Sequence, residues 1–204
     1  MKRLILIRHA QSEHHIRDLT GGWTDTPLSA FGNTQAEALA ARCKTFFAGE
    51  SDLALYCSDL LRASQTAGYV AAALGIECRM DAGLREHNNG TAAGLTRAEA
   101  EKIECPRSEP ALDWVPYPGA ESWRMMLDRV SAAMDHIDGL APSTAVVVTH
   151  GGSGLAVIQW WLRLSPQCSQ GLSFQLDPAS ISEMGFNWEQ ERTLIRLNDT
   201  AHLS

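Results

Sequence analysis

Three separated segments of this 204-residue chain carry side chains suited to a single anion. Leu4-Ile5-Leu6-Ile7-Arg8-His9-Ala10-Gln11-Ser12 sets an arginine and a histidine directly behind an apolar run. Ser58-Asp59-Leu60-Leu61-Arg62 follows the apolar run Leu53–Cys57, and Thr149-His150-Gly151-Gly152 follows Ala145–Val148. A phosphate monoester is a dianion with three equivalent oxygens, which planar, permanently charged guanidinium groups match with paired hydrogen bonds. Arg8 and Arg62 are the candidate clamps. A neutral imidazole is a competent nucleophile toward phosphorus, and nearby cations help keep it unprotonated. Gly151 and Gly152, opening a helix, would add backbone N–H groups and a positive dipole end. The chemistry also needs a carboxyl group, first to protonate the departing alkoxide and then to take a proton from water.

For these groups to meet, their strands must lie side by side and end at one edge. The three runs are apolar without period-two alternation, the pattern of strands buried on both faces. Ligands of open α/β sheets bind at the carboxyl ends of such strands. Between them the sequence predicts helices. One is capped by Ser29 and runs to about Phe47; another spans Leu60–Leu74 and stops at Gly75. A third strand is expected at Ile76–Met80, a short helix near Thr96–Ile103, and an amphipathic helix opening at Ser122. A last helix is expected from about Ser153 to Leu164. Ser180–Trp188 and Thr193–Asn198 form a hairpin pattern turning through residues 189–192. Gln11–Trp23 reads as polar loop. The alternation predicts an α/β fold: one three-layer α/β/α domain over residues 1–204, with a mostly parallel central sheet. An irregular stretch at about 86–119 is expected to be a substrate loop or lid.

The net charge of -7 disfavours a nucleic-acid or anionic-membrane binder while leaving room for a local basic pocket. Five scattered cysteines without a C-x-x-C pair fit reduced thiols. No signal-peptide pattern or bilayer-length apolar run is present, so the expected location is cytoplasmic. His14-His15, with Asp18 or Asp25, invites a metal reading, but no known ligand spacing supports it and no metal is expected.

Six motifs then occur in one order. They are Arg8-His9-Ala10-Gln11-Ser12, Asp25-x-Pro27-Leu28-Ser29-x-x-Gly32-x-x-Gln35-Ala36, Ser58-x-Leu60-x-Arg62-Ala63-x-Gln65-Thr66-Ala67, Leu84-x-Glu86-x-x-x-Gly90, Gly119-x-Glu121-Ser122 and Thr149-His150-Gly151-Gly152. In this the chain resembles the histidine phosphatase superfamily, which includes phosphoglycerate mutases and many phosphatases. The resemblance implies that His9 becomes phosphorylated, that Arg8, Arg62 and His150 hold the phosphoryl group, and that Glu86 is the proton donor. It implies Ser12, His15, Gly21, Gly22 and Gly151 as phosphate or substrate contacts. Two positions depart from the family pattern, His15 for the usual Asn and Ala10 for the usual Gly. Loop carboxylates Glu99, Glu101, Glu104 and Glu121 compete with Glu86 for the acid role.

The stretch from Gln11 to Asp25, with Thr20-Gly21-Gly22-Trp23, looks like a mutase loop. Residues 86–119, however, hold only Arg97 and Arg107, far apart, and Gly90-x-x-x-Gly94-Leu95-Thr96 is closer to the phosphatase branch. The expected function is hydrolysis of a small phosphomonoester without a cofactor. The alternative is a mutase, for which 2,3-bisphosphoglycerate would be the cofactor. A phospho-ligand binder without catalysis is a third class. The expected partner is a small phosphorylated metabolite; relatives of this kind often form homodimers.

Overall fold

A computed structural model of the chain describes residues 1–165, 168 and 171–204. Six strands form one sheet: β1 (Arg3–Arg8), β2 (Leu53–Cys57), β3 (Cys78–Met80), β4 (Thr144–Thr149), β5 (Ile181–Phe186) and β6 (Arg192–Asp199), in the order β3-β2-β4-β1-β5-β6. β1 to β4 run parallel; β5 lies antiparallel to β1, and β6 antiparallel to β5. The helices are α1 (Glu13–Ile16), α2 (Ala30–Phe46), α3 (Leu61–Leu74), α4 (Arg97–Glu101), α5 (Trp123–Gly139) and α6 (Gly151–Trp161).

Alternate residues of β1 feed two separate cores. Leu4 and Leu6 join Met126, Val130 and Met134 of α5 and Val157 and Trp161 of α6. Ile5 and Ile7 join Ala36, Leu39 and Cys43 of α2 and Ala63, Ala67 and Val70 of α3. All four strand residues are at most 1% exposed, and full burial of each aliphatic side chain contributes about 1.5–3 kcal/mol. The expected three-layer sandwich is therefore what the chain adopts.

Register places the chemistry. Cys57 pairs with Val148, and Arg8 with Thr149. The residues that follow these strands, Ser58, His150 and His9, thus leave one edge of three adjacent strands.

Boundaries differ from expectation for identifiable reasons. β3 begins at Cys78 rather than Ile76, because Gly75 adopts a left-handed cap (φ 67°) and the N–H groups of Gly75 and Ile76 return to the Ala71 carbonyl. α6 begins at Gly151, two residues early, and ends at Trp161 rather than Leu164. The polar stretch after His9 contains the single turn α1, nucleated by Ser12 with His15 returning to the Ser12 N–H. Cys57 and Cys78 touch through their thiols at 3.2 Å but sit diagonally, Cys78 pairing with Leu55 and Cys57 with Met80. The thiols are free. Among the described residues, no helix is long and apolar enough to cross a membrane.

Candidate active site

His9 is 2% exposed, and its imidazole is oriented by its own neighbour. Nδ1 lies 2.7 Å from the Ala10 carbonyl, which can only accept, so Nδ1 carries the proton and Nε2 the lone pair. Nε2 accepts from the Arg62 Nε–H at 3.2 Å. Burial, reinforced by His150, Arg62 and Arg8, holds the His9 pKa well below 6.5, so the ring is a neutral base at physiological pH. The methyl of Ala10 is fully buried, and its N–H donates to Thr66 Oγ at 3.1 Å. The departure from glycine is thus accommodated.

Arg62 enters from the first turn of α3 and is 1% exposed. Its Nη1 and Nη2 donate to the carbonyls of Thr24 and Gly22 at 2.8 and 2.7 Å. Burial lowers its pKa to about 10, opposed chiefly by the charge of Glu86, so it remains cationic at neutral pH. Gly22 is confined to glycine: its φ is +55°, and a Cβ would stand 2.4 Å from Asn89 Oδ1. Its carbonyl serves Arg62, so this residue orients a cation. Gly21 borders the open cleft.

His150 is fully buried and sits 5.0 Å from His9, ring centre to ring centre. Ser58 Oγ accepts from the Leu60 N–H at 3.3 Å and contacts His150 Nε2 at 2.8 Å. Nδ1 finds no partner among the described residues; in the tautomer where Ser58 donates to Nε2, Nδ1 carries the ring proton and can donate to a ligand. Burial and the two arginines hold the His150 pKa well below 6.5.

His15 explains itself through its contacts. Nδ1 lies 3.1 Å from the Ser12 N–H, a pure donor, so the neutral ring carries its proton on Nε2. That Nε2 faces Arg8 Nη2 at 3.2 Å. Nε2 and the Arg8 guanidinium are thus close enough to share one anion, toward which an imidazole N–H can donate. Ser12 Oγ does not face open space: it is fully buried between His14 Nδ1 at 2.8 Å and His15 Nδ1 at 3.2 Å. Burial lowers the pKa of His14 to about 3 and of His15 to about 4. Replacing His15 by Asn should therefore keep much of the activity. Replacing it by Ala should raise KM for a phosphomonoester about tenfold, the worth of one hydrogen bond to a charged group; equal kinetics for the two variants would remove His15 from the site.

Glu86 is the acid nearest these groups. Its Oε2 accepts from Gly152 N–H at 2.9 Å, and Oε1 accepts from Ser153 and His87 N–H at 3.0 and 2.8 Å. The start of α6 is thus turned toward this carboxylate, not left open for phosphate, and a Cβ at Gly152 would approach Oε1 to 2.5 Å. Gly151 lies between Arg8 and Glu86, its Cβ position 3.7 Å from the guanidinium carbon and 3.9 Å from Oε2. The competing carboxylates are engaged elsewhere where contacts are defined: Glu121 holds Arg129, and Glu99 caps α4 at Thr96. A cleft of about 390 Å³, lined by Arg8, His14, His15, Leu19, Thr20, Gly21 and Arg97, opens this cluster to solvent.

The sequence profile of the histidine phosphatase superfamily (branch 1) matches residues 4–200. The chain belongs to this superfamily. Superfamily members are phosphatases and mutases that act through histidine. The chain is similar to a proposed phosphoserine phosphatase 2 of Hydrogenobacter thermophilus, with 29% identity over 99% of this chain and 98% of that protein. It is also similar to a 2,3-bisphosphoglycerate-dependent phosphoglycerate mutase of Nitrobacter hamburgensis, with 32% identity over 80% of this chain and 83% of that one. Its structure resembles a mycobacterial glucosyl-3-phosphoglycerate phosphatase solved with VO3. That match has a TM-score of 0.82 at 26% identity and covers 98% of this chain and 100% of the other. Ser58 and Glu121 sit inside motifs that marked the superfamily, but their tasks depend on contacts with His150 and Arg129 that sequence spacing does not reveal.

Proposed function

We propose that the protein is a phosphomonoesterase that hydrolyses a small phosphorylated metabolite through a phosphohistidine on His9. The observation that carries this reading is the orientation of His9: Nδ1 is tied to Ala10, and the Nε2 lone pair lies among Arg62, Arg8 and His150. In the first step His9 Nε2 bonds to phosphorus, the ester P–O bond breaks, and the leaving oxygen takes the Glu86 proton. In the second, water attacks phosphorus, the P–N bond breaks, and Glu86 takes the proton from water. Arg8, Arg62, His15 and the His150 Nδ1–H hold the equatorial oxygens as charge moves. No cofactor is part of this scheme.

A mutase is the second reading, favoured by the Thr20–Asp25 segment and the similarity to the Nitrobacter mutase. Against it, Arg97 pairs with Asp18 at 2.9 Å and Arg107 stacks on Trp114 at 5.0 Å, so the loop offers no paired clamp for a second substrate group. Assaying an aryl phosphate and 3-phosphoglycerate side by side separates the readings. Release of free phosphate is the expected result. Isomerisation that requires 2,3-bisphosphoglycerate would establish the mutase, and silence in both assays would leave a phospho-ligand binder.

Glu86→Gln should trap the intermediate. An activated aryl phosphate needs no proton donor, so phosphoryl transfer to His9 proceeds, while hydrolysis without its base slows by about 10²–10⁴. A burst of one phenolate per enzyme and an acid-labile phosphoprotein are expected; absence of both would remove Glu86 from the second step.

A further inference from the structure

Arg129 lies on α5 and touches neither the cleft nor any phosphate contact, yet all five of its N–H donors are spent around one loop. Nε and Nη2 hold Glu121 Oε1 and Oε2 at 2.7 and 2.8 Å. Nη1 donates to the carbonyls of Gly83 and Arg85 at 2.9 and 3.0 Å, and Nη2 also donates to the carbonyl of Glu86 at 3.1 Å. Glu121 Oε2 accepts from Asn88 N–H at 3.0 Å, so the ion pair grips the loop on both sides of Glu86.

This loop belongs to no strand, and its backbone groups must find partners elsewhere. Thr149 Oγ takes the Leu84 carbonyl at 2.7 Å, and the Trp23 indole N–H takes the Glu86 carbonyl at 2.8 Å. The other carbonyls, Gly83 and Arg85, depend on Arg129. The Glu86 side chain is fixed at its oxygens by the start of α6 and at its backbone by Arg129. A proton donor must sit within hydrogen-bond reach of the leaving oxygen, and a shift of about 1 Å can cost about 10²-fold.

We propose that Arg129, locked by Glu121, is the positioning residue for leaving-group protonation, acting through the placement of Glu86. The inference rests on Glu86 being the proton donor. A lysine cannot replace it: three donors on a point charge cannot span a carboxylate and three carbonyls in one plane.

The test is a leaving-group series read as kcat/KM, which reports the first phosphoryl transfer alone. Phenyl phosphate expels an oxygen resembling that of tyrosine (pKa about 10) and needs a proton, whereas 2,4-dinitrophenyl phosphate does not. Arg129→Gln and Arg129→Lys should lower kcat/KM on phenyl phosphate by about thirtyfold or more, within the ~10²–10⁴ of a general acid, and on the dinitrophenyl ester by less than about threefold. Glu86→Gln should show the same selectivity, and the Glu86→Gln/Arg129→Gln double variant should lose little more than Glu86→Gln alone. Where Arg129→Gln does not fold, Glu121→Gln, which keeps the shape of the partner, carries the same expectation. Equal losses on both esters alongside a selective Glu86→Gln would overturn the role of Arg129. A Glu86→Gln variant that is itself unselective would overturn the proton-donor reading beneath it.

Discussion

His9→Asn is expected to release phosphate at least about 10⁴-fold more slowly than the native chain and to form no phosphoprotein. The argument is geometric. Asparagine can still donate toward the Ala10 carbonyl, and Arg62 stays anchored on the Thr24 and Gly22 carbonyls, so the pocket keeps its cations and its anion affinity. What disappears is the only lone pair held among Arg62, Arg8 and His150 with enough basicity to bond to phosphorus. Binding of inorganic phosphate should therefore survive, within a few-fold, while turnover vanishes. Measuring phosphate affinity by calorimetry beside a radiolabelled turnover assay checks both halves; residual turnover above a few per cent would mean that another group attacks.

Acidification should unfold the protein far more readily than its modest charge suggests. An unfolded chain takes up a proton at each histidine below about pH 6.5. Folded His9 and His150 stay neutral, because burial, together with Arg62 and Arg8, pushes both pKa values well down. The unfolded state then binds more protons, and stability falls as pH falls through the unfolded value. Proton uptake by the unfolded chain alone sets the bound: between pH 7 and 5 each group can remove up to about 2 kcal/mol, and the pair up to about 4 kcal/mol. His14 and His15, held at about 3 and about 4, act in the same direction. For a chain of this size, 4 kcal/mol corresponds to a fall in Tm of roughly 8–16 °C. Calorimetric scans at pH 7 and 5 read this directly, and a difference of only a degree or two would mean that these rings are protonated in the native fold.

The parts of this molecule written in local sequence were legible. β1, β2 and β4 announce themselves as unbroken apolar runs, because a strand covered on both faces has no polar side to display. Ser29, Thr96 and Ser122 mark helix starts by their own hydroxyls. What was not legible depends on distance. α1 is a single turn whose capping partner is a histidine, a residue that carries no helix-start signal. Gly151 and Gly152 open α6, but local sequence does not show that the Gly152 N–H and its missing side chain serve Glu86, 66 residues earlier, rather than a phosphate. The saturated donors of Arg129 read in sequence as one more charge on an amphipathic helix. Arg62 was legible as a clamp from its place behind β2, but its burial was not, because that follows from carbonyls 38 and 40 residues away.

That tether has a mechanical consequence for selectivity. The guanidinium beside the nucleophile hangs from Gly22 and Thr24, and the segment just before them, Leu19 to Gly21, forms one wall of the entrance. Any displacement of that wall would therefore pull on the cation. For the proposed esterase, a bulky compound that pried the wall outward would withdraw the charge from its own phosphorus, so oversized esters are expected to dock and then react slowly, crowding at the doorway becoming a chemical barrier.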